Sequence, residues 1–301
     1  MPAVTSADYA SPEAPSAPTV LRVLLGAQLR RLRESRGISA TEAARAIRGS
    51  ESKISRIELG RNSVRELDVA DLLDLYGITD TAEREQLLNI ASQANQHGWW
   101  HHYLDVLPSW FQGYLGLEQS AKFIRSFDVQ FVPGLLQTED YSQAVLELGS
   151  YSHESTERLV HVRQERQRRF AAGGLRLSAV IDEGALRRPV GSACVMRGQL
   201  QHLLDIAGRP GLTIQVTPLR TGASYAAPGS FSILSFAAED LPDVVYVEQL
   251  TSALYLDKPS DLERYGQALD LISATSTPPE ETTQFIRSML AEQEVHSARH
   301  G

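Results

Sequence analysis

Residues 37–61 read GISATEAARAIRGSESKISRIELGR and decide the fold of the N-terminal part of the chain. The first half of this stretch predicts a short helix that begins after Ser39, a residue type that favours the N-cap position. The inner positions of this helix are small: Ala43, Ala44 and Ala46. Small inner residues let a second helix cross at close range, as a helix-turn-helix requires.

The second half of the stretch predicts a helix over about residues 51–59, with Ser50 as its N-cap and Gly60 as its C-cap glycine. Ile54 and Ile57 face inward in this pattern. The outward side chains are polar or basic: Ser52, Lys53, Ser55 and Arg56. A short helix with a cationic outer face and an apolar inner face suits the major groove of DNA.

Positive charge is concentrated around this stretch. Residues 20–65 carry a net charge of +7, whereas the whole chain carries −8 and residues 66–301 carry −13. An acidic chain with one basic segment is typical of a polyanion-binding module joined to a second domain. Taken without the charge, an ordinary helical hairpin with solvated charges is the alternative interpretation of the helix pair.

The length of 301 residues and the hydrophobic content of 42% are enough for two domains. The one cysteine, Cys194, excludes an intramolecular disulfide and a cysteine-based zinc site, which fits a reducing compartment. We find no apolar run as long as a membrane span and no signal peptide. We therefore expect a cytoplasmic protein.

Apolar periodicity predicts an N-terminal all-α bundle of five helices over residues 20–97, after a Pro- and Ser-rich leader at 1–19 that we expect to be disordered. The three tryptophans, Trp99, Trp100 and Trp110, follow the bundle. Because aromatic side chains carry large burial energies, we expect them to dock the two domains, or two protomers, against each other.

Residues 98–293 alternate between helical and strand-like patterns, and a flexible tail is expected at 294–301. Helices are predicted at 110–127, 138–148, 154–172, 193–207, 259–275 and 279–293. Strands are predicted at 175–181, 212–217, 230–236, 244–248 and 253–256. Because the last four strands are close together in sequence, the expected fold is an α+β domain with a mostly antiparallel sheet.

Residues 37–61 resemble the helix-turn-helix of Xre-type, phage-repressor-like regulators. Motifs further along resemble one large actinobacterial family, the WhiJ-like transcriptional regulators, also described as antitoxin-like. These motifs are GWWHHYLDVLPSWFQGYLGLE, FVPGLLQTEDYSQAVL, DEGALRRPVG, VMRGQL, LTIQVTP, GSFSIL and VVYVEQLTSALYL. The resemblance implies a cytoplasmic, dimeric DNA-binding regulator. In this family a small, separately encoded partner protein is common.

The chain departs from the family pattern in the turn between the two helices of the motif. Arg48 and Gly49 stand where a glycine followed by an apolar residue is usual, so the turn glycine is moved by one position. Ala40 stands where a glutamine is usual, and Glu51 replaces a residue that is commonly neutral or basic. These departures bear on the target sequence and the affinity.

The candidate DNA contacts divide by their reach. We expect Ser52, Lys53 and Arg56 to contact base edges in the major groove, where Arg or Lys to guanine is the commonest specific contact. Phosphate contacts, which fix the register without reading the sequence, are expected from Thr41, Ser55, Arg61 and Asn62. For Arg61 and Asn62 the alternative is a solvated loop.

The C-terminal domain offers weaker candidates for a ligand or partner site. Arg187 and Arg188 form a pair that can grip an anion, with a structural salt bridge to neighbouring acids as the favoured alternative. Glu248 and Tyr255 are the other candidates for this site, and with Gln137 and Tyr141 they are also candidates for lining a pocket.

The sequence encodes no recognised catalytic motif. It contains no glycine-rich phosphate loop, no GxSxG and no HExxH, and Cys194 has no histidine nearby in sequence. The group His97, His101, His102 and Asp105 is read as a polar helix end rather than a metal site. We expect no enzymatic activity, no cofactor and no bound metal.

These patterns predict a sequence-specific transcriptional regulator whose C-terminal domain dimerises and receives a signal or a partner. The alternative is an antitoxin-like protein-interaction module that binds a small partner protein, with DNA binding for autoregulation. The expected partners are double-stranded DNA, a second copy of the chain and, in the alternative, the small protein. A membrane is not among them.

Overall fold

A computed structural model describes residues 20–60, 64–94, 98–149, 151–221, 229–236 and 242–300. The chain divides into two compact units, Met1–Gly98 with Pro108–Gly116 and Trp99–Leu107 with Leu117–Gly301. Within the described ranges, no helix combines the length and the apolar character needed to cross a membrane.

The N-terminal unit is helical where the structure describes it. Its helices are α1 (Val20–Ser35), α2 (Ala40–Ala46), α3 (Glu51–Glu58), α4 (Glu66–Leu75), α5 (Thr81–Ala94) and the first part of α6 (Ser109–Ser120). The apolar faces of α1 to α5 meet in one core, whose largest fully buried side chains are Leu25, Leu29, Ile47, Ile54, Leu72, Leu73 and Tyr76. Burial of this face, rather than helix propensity, stabilises helices as short as α2 and α3.

The C-terminal unit combines further helices with a six-stranded sheet. The helices are α7 (Glu139–Glu147), α8 (His153–Ala171), α9 (Glu183–Arg187), α10 (Ala193–Ile206), α11 (Pro259–Thr275) and α12 (Pro279–His300). The strands are β1 (Ala121–Asp128), β2 (Arg176–Asp182), β3 (Leu212–Thr217), β4 (Phe231–Phe236), β5 (Val244–Glu248) and β6 (Ala253–Leu256). Short 3-10 helices lie at Trp99–Tyr103, Gly134–Leu136 and Leu219–Thr221.

The strands lie in the order β3-β2-β1-β4-β5-β6. The neighbours β3, β2 and β1 are parallel, whereas β1, β4, β5 and β6 pair in antiparallel fashion. The prediction of a mostly antiparallel sheet is therefore wrong: the sheet is mixed and the domain is α/β. The physical reason is the connections, because α7 and α8 join β1 to β2, and α9 and α10 join β2 to β3, and such helical crossovers bring the next strand back in parallel.

The central strand β1 is not predicted from the sequence. The helix predicted at 110–127 is wrong over its second half, since α6 ends at Ser120 and β1 begins at the next residue. No glycine or proline separates the two elements. As in any strand, the side chains of β1 alternate between two faces, with Phe123 and Phe127 on one side and Ile124 on the other.

One face of the β1–β4–β5 region is apolar. It packs against Leu269 and Ile272 of α11 and consists of Phe127, Phe231, Ile233, Val245 and Val247. Phe231 also contacts the ring of Tyr265 on α11, with ring centroids 4.9 Å apart. This side of the sheet is closed by helix packing.

The aromatic segment after the N-terminal bundle contributes to both units. Trp99 and Trp100 form an edge-to-face pair with centroids 5.8 Å apart, and Arg169 lies over the Trp99 ring at 5.1 Å. Trp110 instead contacts Phe111, at 5.9 Å. The expectation that these tryptophans dock domains or protomers remains a prediction.

Candidate nucleic-acid interface

The caps of α2 and α3 define the helix-turn-helix. Ser39 accepts a hydrogen bond from the Glu42 amide, and the Glu42 carboxylate accepts one from the Ser39 amide at 2.8 Å, which is a complete capping box. Ser50 accepts from the Lys53 amide at 3.2 Å and begins α3. Gly60 follows the end of α3 with φ of 64°. The predicted N-caps Ser39 and Ser50 are confirmed, and Gly60 lies one residue beyond the C-cap of α3, which is Leu59.

The backbones of α1 and α3 approach each other closely at glycine. A Cβ at Gly26 would lie 2.4 Å from the carbonyl oxygen of Ile57. A Cβ at Gly60 would lie 2.7 Å from the amide nitrogen of Val23. Because real Cβ atoms do not approach backbone atoms so closely, the crossing of α1 and α3 includes direct main-chain contact that requires glycine at both positions.

An ion pair strengthens the same helix crossing. Arg33 on α1 donates from Nε to Oε1 of Glu58 at 2.6 Å and from Nη2 to Oε2 at 3.0 Å. The hydrogen bond that Arg33 donates to Glu58 is the main reason that the pKa of Arg33 is raised. Arg33 also donates to the carbonyl oxygen of Ile38 at 2.9 Å, so one side chain links α1, the loop before α2 and the end of α3.

The turn between α2 and α3 contains a non-glycine residue in the left-handed region. Arg48 has φ of 51°, whereas Gly49 has no positive φ. The displaced turn glycine therefore does not supply the left-handed conformation, and Arg48 adopts it at a cost of roughly 1–2 kcal/mol. The Arg48 side chain is 80% exposed and contacts Asp71 at 3.3 Å.

The outer face of α3 presents polar groups to solvent. Ser52, Ser55 and Arg56 are exposed, whereas Ile54 and Ile57 are buried in the core, as the sequence pattern predicts. Thr41, at the start of α2, is also exposed, and its hydroxyl donates to Glu51 Oε1 at 2.5 Å. The face is therefore available to a ligand without rearrangement of the core.

Lys53 differs from the other expected base contacts, because its ammonium group bonds to a carboxylate of the same unit. Nζ lies 2.8 Å from Oδ2 of Asp68, which is buried on α4. Arg65 donates to the same carboxylate at 2.7 and 3.2 Å. Burial opposes the ionisation of Asp68, but the hydrogen bonds from Arg65 and Lys53 outweigh it and hold its pKa below the usual value. Base contact by Lys53 remains a prediction.

The expected phosphate contacts Arg61 and Asn62 lie outside the described residues. Two further arginines of the motif, which the sequence analysis did not select, are exposed: Arg45 on α2 and Arg48 in the turn. The signal for them was present in the local net charge of residues 20–65, which counts every basic side chain and not only those of the third helix.

The C-terminal candidates are distributed over several elements. Arg187 contacts Glu183 at 2.5 Å and Glu292 at 2.9 Å, and Arg188 donates to the carbonyl oxygen of Gln130 at 3.0 Å. Glu248 and Tyr255 lie on the neighbouring strands β5 and β6, where Tyr246 contacts both: its hydroxyl donates to Glu248 at 3.0 Å, and its ring lies 5.3 Å from that of Tyr255.

The segment with His101, His102 and Asp105, considered above for metal binding, contacts an arginine of α8. Arg158 bonds to Asp105 and donates to the carbonyl oxygen of His102 at 2.7 Å. His97 lies outside the described residues, within which no cluster of metal-ligating side chains was found.

Comparison with known families assigns both parts of the chain. Residues 24–87 match a helix-turn-helix domain, which supports an Xre-like, DNA-binding regulator. Residues 111–288 match a domain of unknown function, DUF5753. No curated protein and no solved structure matched the chain. The helix-turn-helix domain precedes the DUF5753 domain. Because the DUF5753 match spans more than half of the length of the chain, the chain belongs to the DUF5753 family.

Proposed function

We propose that the protein is a sequence-specific transcriptional regulator that inserts α3 into the major groove of DNA. The observation that carries this proposal is the exposed polar face of α3, with Ser52 and Arg56, on a helix whose other face is fixed in the core by Ile54 and Ile57. A rigid helix with free polar side chains is what direct reading of base edges requires.

The contacts divide in the complex as their positions suggest. Arg56 is the candidate for a guanine edge and Ser52 for an adjacent base, whereas Thr41 and Ser55 reach phosphate oxygens. Arg45 and Arg48 add positive charge along the path of the backbone. Lys53 reads a base only if its ammonium group leaves Asp68, so it contributes to selectivity at a cost in the stability of the domain.

The functional unit in this proposal is a dimer in the cytoplasm, and its C-terminal domain dimerises and receives a signal or a partner. Two copies place two recognition helices on half-sites about 34 Å apart. The resemblance of the C-terminal motifs to WhiJ-like regulators supports this organisation. The proposal includes no catalytic activity and no cofactor, in keeping with a sequence without a recognised catalytic motif.

The alternative proposal is an antitoxin-like module that binds a small protein, with DNA binding for autoregulation. The edge strand β6 and the hairpin before it favour an interaction surface, since Leu254 is half exposed and Leu250 is 97% exposed. The test is co-purification of a small protein with the full chain, repeated with Leu250→Asp and Leu254→Asp. A complex that both substitutions leave intact would contradict this surface.

The main proposal is tested by a competitive shift assay on the DNA upstream of the protein's own gene, titrated with salt. We expect binding that survives a large excess of random DNA, with an affinity that falls steeply as salt rises. Arg56→Ala should remove most of the preference, and Arg197→Ala, an exposed arginine of α10, is the matched control. Equal binding of upstream and random DNA by the unmodified protein would overturn the proposal.

A further inference from the structure

A row of polar side chains crosses the sheet on the face opposite α11. The strand register pairs Ser126 with Ser232, Ser232 with Tyr246, and Tyr246 with Tyr255. Directly paired residues of antiparallel strands point to the same side, so these four side chains lie on one face. Ser126 and Tyr246 are buried. Buried polar side chains need hydrogen-bond partners, whereas a core that only packs against a helix can be wholly apolar.

Two carboxyl groups extend this row at its open end. Asp128 and Glu248 lie two residues beyond Ser126 and Tyr246 on the same strands, and therefore on the same face. Ser126 donates to Asp128 at 2.8 Å, and Tyr246 donates to Glu248 at 3.0 Å. Burial raises the pKa of Asp128 to about 7, and the charge of Glu248 adds to the shift. Desolvation also raises the pKa of Glu248. Both groups would be stabilised as carboxylates by a cation.

Two arginines of α8 lie close enough to act on Glu248, where they favour its charged form. Arg166 is already neutralised by a bidentate pair with Glu118, at 2.8 and 2.7 Å. Arg163 instead donates to the neutral amide oxygen of Gln137 at 2.5 Å, and among the described residues no carboxylate is hydrogen-bonded to it. Burial, together with the charge of Arg166, lowers the pKa of Arg163 to about 10. An anion beside Arg163 would complete its hydrogen bonding.

The guanidinium groups of both arginines pack against the backbone of Gly134. A Cβ at Gly134 would lie 3.2 Å from Nη1 of Arg166 and 3.7 Å from Nε of Arg163. The backbone of Gly134 has no positive φ, so its conformation does not require glycine. The absence of a side chain at this position therefore lets both guanidinium groups approach the backbone, and an added Cβ would displace that of Arg166.

We propose that these groups form a binding site for a small zwitterion, an amino acid or a close derivative, and we call it the strand-end site (Arg163, Gly134, Asp128, Glu248 and Tyr255). The ligand carboxylate bonds to Arg163 next to Gly134. The ligand ammonium group lies between Asp128 and Glu248. The paired rings of Tyr246 and Tyr255, 5.3 Å apart, offer an apolar surface to the rest of the ligand.

This inference deepens the proposed function, on which it rests for its regulatory meaning, because it names the chemical class of the signal received by the C-terminal domain. It is distinct from the pair Arg187 and Arg188, which bond to Glu183, Glu292 and the carbonyl oxygen of Gln130. Opposite charges at the two ends of the strand-end site favour a ligand that carries both signs.

The test is thermal unfolding of the full chain with each proteinogenic amino acid at millimolar concentration. We expect at least one to raise Tm by about 5 °C or more at a hundred-fold excess over its Kd. Each active amino acid is then compared with its analogue without the amine and its analogue without the carboxylate, and neither should shift Tm. The proposal is overturned if no amino acid raises Tm, or if a singly charged analogue is equally effective.

Three variants locate the effect. Gly134→Ala should weaken the shift by displacing the guanidinium groups that contact this position, while Gly198→Ala, a helical glycine whose added Cβ would meet nothing within 4 Å, should preserve it. Glu248→Gln and Arg163→Gln should each weaken binding at least ten-fold, with Glu263→Gln on α11 as a surface control. A shift that is unchanged in all three site variants overturns the assignment.

DNA binding is measured separately and without amino acid, in the shift assay described above. Loss of sequence preference together with an intact Tm shift would contradict the proposed regulator and leave the strand-end site standing. An intact preference without any Tm shift would contradict the site alone.

Discussion

Lys53 Nζ lies 2.8 Å from Asp68 Oδ2, so a side chain of the recognition helix α3 bonds to a buried carboxylate of α4. Arg65 holds the other side of the same carboxylate. The charged group of Lys53 is thus part of what joins α3 to α4. If Lys53 contacts a base as proposed, the stability of the domain and its selectivity for DNA are linked through this one residue.

We expect Asp68→Asn to lower the free energy of unfolding by about 2 kcal/mol, because two charged donors lose their buried acceptor. The pKa of Asp68 is depressed in the folded state, so its contribution is present above an unfolded pKa of about 4 and is lost as the pH falls through the lower folded value. Denaturant unfolding measured from neutral to acidic pH checks both statements. Asp74→Asn, at an exposed pair with Arg84, should change stability by less than about 0.5 kcal/mol.

Substitutions of Arg56 and Lys53 should differ in their effect on stability when the two variants are compared. Arg56→Ala should reduce discrimination between the operator and random DNA by about 1–3 kcal/mol without a change in Tm, since its side chain is exposed. Lys53→Met should reduce discrimination and also stability, the latter by about 1–2 kcal/mol, because Asp68 loses a partner. Binding and unfolding of both variants provide the check. Full selectivity in Lys53→Met would assign Lys53 to structure alone.

Gly26→Ala should destabilise the N-terminal unit by about 3 kcal/mol, because the new Cβ would meet the Ile57 carbonyl oxygen at 2.4 Å and the backbone must shift. Gly198→Ala in α10 is the control, and it should raise stability by about 0.5–1 kcal/mol. Chemical unfolding measures both. A stable Gly26→Ala variant would show that α1 and α3 do not cross as closely as described.

Arg48→Gly should raise the free energy of unfolding by about 0.5 kcal/mol, because relief of the left-handed strain exceeds the entropic cost of glycine and the loss of an exposed pair with Asp71. Arg45→Gly places the same change within α2 and should instead lower stability by about 0.5–1 kcal/mol. The opposite signs are the result to look for in denaturant titrations. Two changes of the same sign would contradict the strain argument.

Arg166→Met should cost about 3–5 kcal/mol, because it leaves the Glu118 carboxylate buried without its bidentate partner. The double variant Arg166→Met with Glu118→Gln should recover part of this loss, since the buried charge is removed. Thermal unfolding of the single and double variants forms a cycle that measures the coupling. Additive losses would contradict a direct pair.

Local signals in the sequence were enough for the helix-turn-helix. Ser39, Ser50 and Gly60 act at helix ends through contacts within a few residues, and the buried Ile54 and Ile57 follow the helical period. Contacts between residues that are distant in sequence could not be predicted from these local signals. The bond from Lys53 to Asp68 spans fifteen positions, and the short approach at Gly26 depends on the angle of two helices.

In the C-terminal domain the sequence predicts the positions of most strands but not their order in the sheet. The runs at 212–217 and 244–248 coincide with β3 and β5, yet β3 lies at the far edge, beside β2. Sequence proximity predicts hairpins, and only the three-dimensional path of the crossover helices decides the order. Sequence patterns indicate Glu248 and Tyr255 as pocket candidates but not Asp128, because the helix predicted at 110–127 covers nearly all of β1. They do not indicate Arg163 either.

The main-chain contact at Gly26 and Gly60 has a consequence for how such regulators diversify. Since the tilt of α3 is set by backbone atoms, its exposed side chains take no part in aiming the helix. If Ser52 and Arg56 read bases as proposed, exchanges at these two positions alter the preferred operator while the crossing of α1 and α3 stays unchanged. Under the proposed function, a lineage built on this scaffold acquires new target genes by surface substitution alone, and grafting the same positions between its members redirects them to other promoters.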